Sequence, residues 1–211
     1  GMTDAAIREA IAMHGASLYN RGYGCGSSGN ISVRHDGGIL VTPTNSCMGR
    51  LDPARISRLA NDGTHLSGDK PSKEAFLHLA MYDERPDANA IVHLHSAHSV
   101  AVSCLADIDP DDVLPPITAY FVMRIGKLPL VPYFRPGDMA LADAVRDKAR
   151  HHHAMLLANH GPVVAGKGLD AAVYAAEELE ETAKLQLLLQ GHNVRLLTGA
   201  QVSELEEAFP S

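Results

Sequence analysis

The β-rich runs of this chain are short, and the turns between them are local. Residues 30–34 and 39–42 flank Asp36-Gly37-Gly38, and residues 154–157 and 162–165 flank Asn159-His160-Gly161. Short runs joined by tight turns pair antiparallel, because a parallel neighbour needs a crossover of a dozen or more residues. Helical segments lie between the runs. Residues 3–20 place Ile7, Ile11 and Leu18 on one face and stop at Gly22. Asp52-Pro53 opens a short helix, and Ser72 caps one that carries Glu74, Phe76, Leu77 and Met81. Residues 90–95 read as a strand, and residues 97–105, 137–150 and 169–190 as helices, the last closed by Gly191. Ser203 and Glu206 spell a capping box for a short final helix. Residues 107–136 are proline-rich with short β-like pieces. The expectation is one α/β domain over residues 2–211, with a mostly antiparallel sheet covered by helices. Gly1 before Met2 reads as an expression scar.

Charge and composition narrow the function. The chain has 211 residues, 18 Lys and Arg against 25 Asp and Glu, and a net charge of −7. That balance argues against a nucleic-acid partner. No apolar run approaches the roughly 18 to 20 residues of a membrane span. Cys25, Cys47 and Cys104 are odd in number and widely spaced, which favours a reducing compartment over a disulfide framework. With no secretory signal read at the N-terminus, the expected location is the cytoplasm. Histidine is the anomaly: the chain has twelve, more than its four Phe and six Tyr combined.

Four short patterns carry chemistry. Gly24-Cys25-Gly26-Ser27-Ser28-Gly29 matches GxGxxG in letters. However, a helix precedes it and a strand follows, the reverse of the dinucleotide fingerprint. It reads instead as an anion-holding loop of backbone N–H groups with Ser27, Ser28 and Asn30, or as a plain turn. In Ile91-Val92-His93-Leu94-His95, residues two apart on a strand share a face, so both imidazoles can reach one metal ion. An HxH pair in an apolar strand is also common without a metal. His160, between two strands, would complete three neutral nitrogen ligands, a pattern that leaves a fourth zinc position open. Lys70-Pro71-Ser72-Lys73-Glu74 places Glu74 in the first turn of a helix, near its positive end, or is a plain Ser-capped start. The run His151-His152-His153 reads as an exposed junction. His78 and His98 read either as lining a metal site or as satisfied polar residues on helices.

Five pieces in register resemble the class II aldolase and adducin family. They are Ser28-Gly29-Asn30-Ile31-Ser32, Thr42-Pro43-Thr44, Pro71-Ser72-Lys73-Glu74, His93-Leu94-His95 and Asn159-His160-Gly161. The resemblance spans nearly the whole chain. It implies a three-layer α/β/α fold around a central, mostly antiparallel sheet, and a homotetramer with active sites between subunits. It further implies Zn2+, with Mn2+ or Co2+ as alternatives, on His93, His95 and His160. Glu74 is implied as acid/base and resting-state ligand, and Tyr120 as a proton donor. Phosphate binding is implied for Gly29, Asn30, Thr44 and Ser72, with Ser27, Ser28, Asn45 and Lys73 beside them. Two departures stand out: Lys73 replaces the usual Ser of Ser-Ser-Glu, and Asn45 replaces the Gly after Thr-Pro-Thr.

The stretches 66–74, 122–126, 132–138 and 177–184 look most like a bacterial subgroup, the 3-oxo-tetronate 4-phosphate decarboxylases. Its reaction loses CO2 from a sugar-acid phosphate through a metal-stabilised enediolate and gives dihydroxyacetone phosphate. A retro-aldolase or epimerase on a sugar phosphate of the fuculose or ribulose type is the alternative. A non-catalytic adducin-like interaction module is the second, and it would not be expected to keep all three histidines.

Overall fold

The computed structural model describes residues 1–210. Helix α1 (Asp4–Asn20) starts where the Thr3 side chain accepts from the Ala6 N–H, and it buries Ile7, Ile11 and Leu18. Strands β1 (Asn30–His35) and β2 (Gly38–Val41) form the expected hairpin, with Asp36 and Gly37 both at positive φ. Two elements follow that sequence patterning did not reveal, β3 (Ser57–Ala60) and β4 (His65–Ser67). β4 is exposed throughout and so shows no apolar alternation.

The second half is richer in helix. Helix α2 (Ala75–Glu84) leads to β5 (Ala90–His93) and α3 (Ala97–Ser103). The proline-rich stretch holds α4 (Ala119–Arg124) and β6 (Leu130–Val131). Helix α5 (Met139–Ala149) is capped by the Asp138 side chain, and β7 (Ala154–Leu157) and β8 (Gly161–Gly166) form a second hairpin. Helix α6 (Leu169–Leu189) is the longest, and Gly191 follows its end at φ +80°.

The terminal helix α7 (Gly199–Ala208) starts earlier than Ser203 and Glu206 suggested. Its capping box is formed by Thr198 and Gln201, because Thr198 is the last residue in extended conformation. Ser203 and Glu206 lie inside the helix.

The eight strands form one sheet in the order β4-β3-β2-β1-β5-β8-β7-β6. Every pair is antiparallel except β6 with β7. Two cores flank it. One holds Ile11, Leu18, Val92, Val102, Phe121, Val173 and Leu179 from α1, β5, α3, α4 and α6. The other holds Leu77, Met81, Ile91, Leu141 and Val145 from α2, β5 and α5. Helices therefore cover both faces, which is the three-layer arrangement. Alternation along β5 sends Ala90 and Val92 to the first face, and Ile91 and His93 to the second. No helix of the described residues is long and apolar enough to cross a membrane.

β8 starts unusually close to the end of β5. Gly161 has φ +149°, and a Cβ there would sit 2.3 Å from the Leu94 carbonyl oxygen. Glycine is thus required between His160 and the β5 partner strand. Gly161→Ala should destabilise the protein by about 2 kcal/mol or more, a melting-temperature drop of about 4 °C or more. A melting temperature within about 1 °C of the wild type would contradict this close approach.

Candidate metal centre

Three sheet elements end at the same place. β1 begins with Asn30, β5 ends with His93 opposite it, and β8 begins at Gly161, two residues before the partner of His93. His95 lies outside the strand that residues 90–95 were expected to form, in the loop after β5, since the ladder ends at His93. His160 precedes β8, in a turn where Asn159 adopts φ +56°. Glu74 enters from the α2 side. It is the N-cap residue of α2 and makes no capping bond, and the helix begins two residues later than Ser72 capping implies. Its carboxylate is engaged elsewhere.

The four side chains converge, with their ligand atoms all within 4.8 Å of one another. Glu74 Oε2 lies 2.7 Å from His160 Nε2 and 3.0 Å from His93 Nε2. Glu74 Oε1 lies 3.8 Å from His95 Nε2. His93 Nε2 is 3.2 Å from His95 Nε2 and 3.3 Å from His160 Nε2. The His93 ring is fully buried, and its Nδ1–H donates to the Pro162 carbonyl at 2.8 Å. In the neutral ring that bond keeps the proton on Nδ1 and leaves the Nε2 lone pair facing inward.

This donor set suits a divalent cation. Tetrahedral ligands at about 2.0–2.1 Å from zinc stand about 3.3 Å apart, the spacing of the His93 pairs. Lone pairs aimed at one another this closely repel unless a proton or cation lies between them. The electrostatics point the same way. Burial opposes ionisation of Glu74, but the charge of His93 and hydrogen bonds from His160 and His93 outweigh it and hold the carboxyl well below its usual range. Burial opposes a charge on His93 as well, yet Glu74 raises it above the ordinary imidazole value. Burial and the neighbouring His93 push His95 down to about 4. One carboxylate thus supports one positive charge, and that charge is exchangeable for a metal ion.

The expected phosphate-binding residues lie on loops that meet beside Glu74. Thr44 N–H donates to the Lys70 carbonyl at 2.9 Å, and Pro43 bridges Pro71. Asn30 Nδ2 donates to Ser72 Oγ at 3.3 Å and to Glu74 Oε1 at 3.0 Å. Both amide protons of Asn30 are therefore committed, so its side chain is not the free phosphate donor expected from its loop. Ser28 Oγ is turned into its own loop and donates to the Cys25 carbonyl at 2.7 Å. Ser27, Asn45 and Lys73 are exposed, and Gly29 sits at φ +82°. Lys73 makes no ion pair among the described residues.

Tyr120 does not join the cluster. It is 60% exposed on α4, which packs on α6 and α7 across the sheet from α2. His98 Nδ1 meets Glu180 at 2.8 Å and His153 donates to the Arg124 carbonyl at 2.7 Å, and neither belongs to the cluster. A cleft of about 710 Å³ opens beside the cluster, lined by His95, Val100, Tyr133, Pro136, Asn159 and His160. Tyr133 had no sequence signal, since its partners lie in distant segments.

Replacing both His93 and His95 by Ala should abolish stoichiometric Zn2+ binding, measured by metal analysis after dialysis. In the unsubstituted protein a proton competes with the metal for the elevated His93. Apparent Zn2+ affinity should therefore fall as pH drops from 7.5 to 5.5, by up to about tenfold per unit for each proton displaced. A pH-independent affinity would contradict the ligand assignment.

Residues 9–187 match the family model described as the Class II Aldolase and Adducin N-terminal domain. The chain is 50% identical to a 3-oxo-tetronate 4-phosphate decarboxylase of Escherichia coli, covering 96% of each protein. It is 36% identical to an L-fuculose phosphate aldolase of Haemophilus influenzae, covering 95% of this chain and 92% of that one. The crystal structure of YgbL from Klebsiella pneumoniae superposes with a TM-score of 0.95 at 48% identity, covering 97% of this chain and all of that one. Family model, relatives and fold agree: the chain belongs to the class II aldolase and adducin family.

Proposed function

We propose that this protein is a metal-dependent carboxy-lyase that converts a 3-oxo-tetronate 4-phosphate into dihydroxyacetone phosphate and CO2. The observation that carries the reading is identity of about half the residues, over nearly full length, to decarboxylases of that name, in a chain that keeps the three-His, one-Glu cluster. His93, His95 and His160, with Glu74, would hold the cation, and Zn2+ fits this donor set, with Mn2+ or Co2+ as alternatives. When bound, such an ion supplies Lewis-acid stabilisation of negative charge on the oxygens at C2 and C3.

The chain's own groups do the rest. Breaking the C1–C2 bond releases CO2 and leaves its electron pair on C2, delocalised into the C3 carbonyl as an enediolate. A proton then delivered to C2 completes dihydroxyacetone phosphate. Glu74 handles that proton, because its carboxylate is the only acid in the cluster and is held at its centre. Tyr120 is the second proposed donor, and its exposed position on α4 would let it serve the site of a neighbouring copy. The phosphate is assigned to the meeting loops, through Ser27 and Gly29, Thr44 and Asn45, and Ser72, since Ser28 commits both its hydroxyl and its N–H to the Cys25 carbonyl. Lys73 supplies the local positive charge that a chain of net charge −7 must provide for a doubly anionic substrate.

We further propose that residues 2–211 act as one domain, assembled as a homotetramer with sites completed between subunits. The substrate is a small sugar-acid phosphate, with no nucleic-acid or membrane partner. A reducing, cytoplasmic setting fits Cys25, Cys47 and Cys104, which are free thiols.

Incubating Zn2+-loaded protein with 3-oxo-tetronate 4-phosphate should yield dihydroxyacetone phosphate and CO2 in equal amounts. Lactaldehyde from fuculose 1-phosphate, with the first compound inert, would favour the aldolase reading that the 36% identical relative suggests. Glu74→Gln should keep the fold and lose at least about 100-fold in turnover. Near-normal turnover in that variant would remove the proton-handling role.

A further inference from the structure

The Glu74 carboxylate is tied to the interior by four more side chains, and the sense of every hydrogen bond can be deduced. Asn30 Nδ2 donates to Glu74 Oε1 at 3.0 Å. An ionised carboxylate only accepts, so this contact fixes the amide orientation and makes Asn30 Oδ1 an acceptor on its other side. His78 Nε2 meets that oxygen, so Nε2 carries the ring proton. His78 Nδ1 is then the lone-pair nitrogen, and Ser32 Oγ donates to it at 2.6 Å. With its single proton committed, Ser32 Oγ accepts from the Tyr82 hydroxyl at 2.9 Å. All the protons point one way, from Tyr82 through Ser32, His78 and Asn30 to Glu74.

The chain follows from two regular elements. Asn30 and Ser32 are two apart on β1 and share a face, and Glu74, His78 and Tyr82 are four apart along α2 and form one stripe. Ser32 and His78 are fully buried, with Asn30 2% and Tyr82 4% exposed. Burial pushes His78 down to about 3 and raises the Tyr82 phenol, so the ring stays neutral and the phenol stays a donor. A buried network with every member satisfied is stiff, because no water can replace a lost partner.

We infer that His78 is a positioning residue, which holds the Asn30 amide in the one orientation that donates to Glu74 and so aims the carboxylate at His93, His95 and His160. Inverting the amide would set its oxygen against the carboxylate and push Glu74 away from the cluster. The role in turnover rests on the proposed lyase reaction, whereas the role in aiming a metal ligand does not.

Two variants and one spectrum test the inference. His78→Leu removes the donor to Asn30, and His78→Gln restores an amide that can donate to Asn30 and accept from Ser32. His78→Leu should lose about 10-fold or more in Zn2+ affinity, read with a competing chelator dye. Its kcat should fall by a similar factor with KM changed less than about 3-fold, the pattern for a lost transition-state interaction. His78→Gln should recover most of both. In wild-type protein, 15N spectra of labelled histidine should show His78 protonated at Nε2 and bare at Nδ1.

Wild-type Zn2+ affinity in a folded His78→Leu, equal impairment of both variants, or an Nδ1-protonated His78 would each overturn the inference. If His78→Leu does not fold, the wild-type tautomer and the affinity of His78→Gln decide. If wild-type protein leaves 3-oxo-tetronate 4-phosphate untouched, the lyase reading fails, and Zn2+ affinity and tautomer still test the positioning role.

Discussion

The antiparallel pairing of β5 with its two neighbours is the constraint on which the rest of the structure depends. Asn30 lies opposite His93, which lies opposite Val163. That register brings the start of β1, the end of β5 and the start of β8 to one end of the central strands. The glycine-rich loop, His95 and His160 are then delivered to a single place by the connections that leave those strand ends. A shift of one residue along β5 would turn His93 into the opposite core and disperse the cluster. Gly161 permits the close approach, and the Pro162 carbonyl sets the tautomer of His93.

Electrostatics explains why the arrangement is costly and how it is offset. Glu74, His93 and His78 are removed from water, and each would be destabilising alone. Glu74 is compensated by imidazoles on one side and by the Asn30 amide on the other. His78 stays neutral and satisfied at both ring nitrogens. The net charge of −7 opposes the anionic substrate proposed above, so holding it requires local compensation. The loops beside Glu74 are accordingly rich in N–H and hydroxyl groups, with Lys73 free of ion pairs among the described residues.

Much of this was legible in the sequence, and the exceptions have physical reasons. Elements with a cap and a continuous apolar stripe, such as α1, α5 and α6, stand where their patterns put them. So do the two hairpins, whose turns carry their own signals. β3 and β4 were missed because strands of only four and three residues leave little or no alternation to detect. β6 was missed because two residues inside a proline-rich stretch pair only through a partner 26 residues away. The three clustered imidazoles and Glu74 could be named from spacing and resemblance. The buried chain behind them could not, because hydrogen-bond direction depends on which atoms face each other across β1 and α2. His78 illustrates the limit: its sequence position allowed a metal-lining role, and its geometry gives it a different one.

His93, His95, His160 and Glu74 converge as one preorganised site suited to a divalent cation. X-ray absorption at the zinc edge of protein loaded with one equivalent of Zn2+ tests it most directly. The expected spectrum has three imidazole nitrogens and one or more oxygens at about 2.0–2.1 Å from the zinc, with one nitrogen lost in His160→Ala. A shell with fewer than three imidazoles, or one unchanged by His160→Ala, would contradict it.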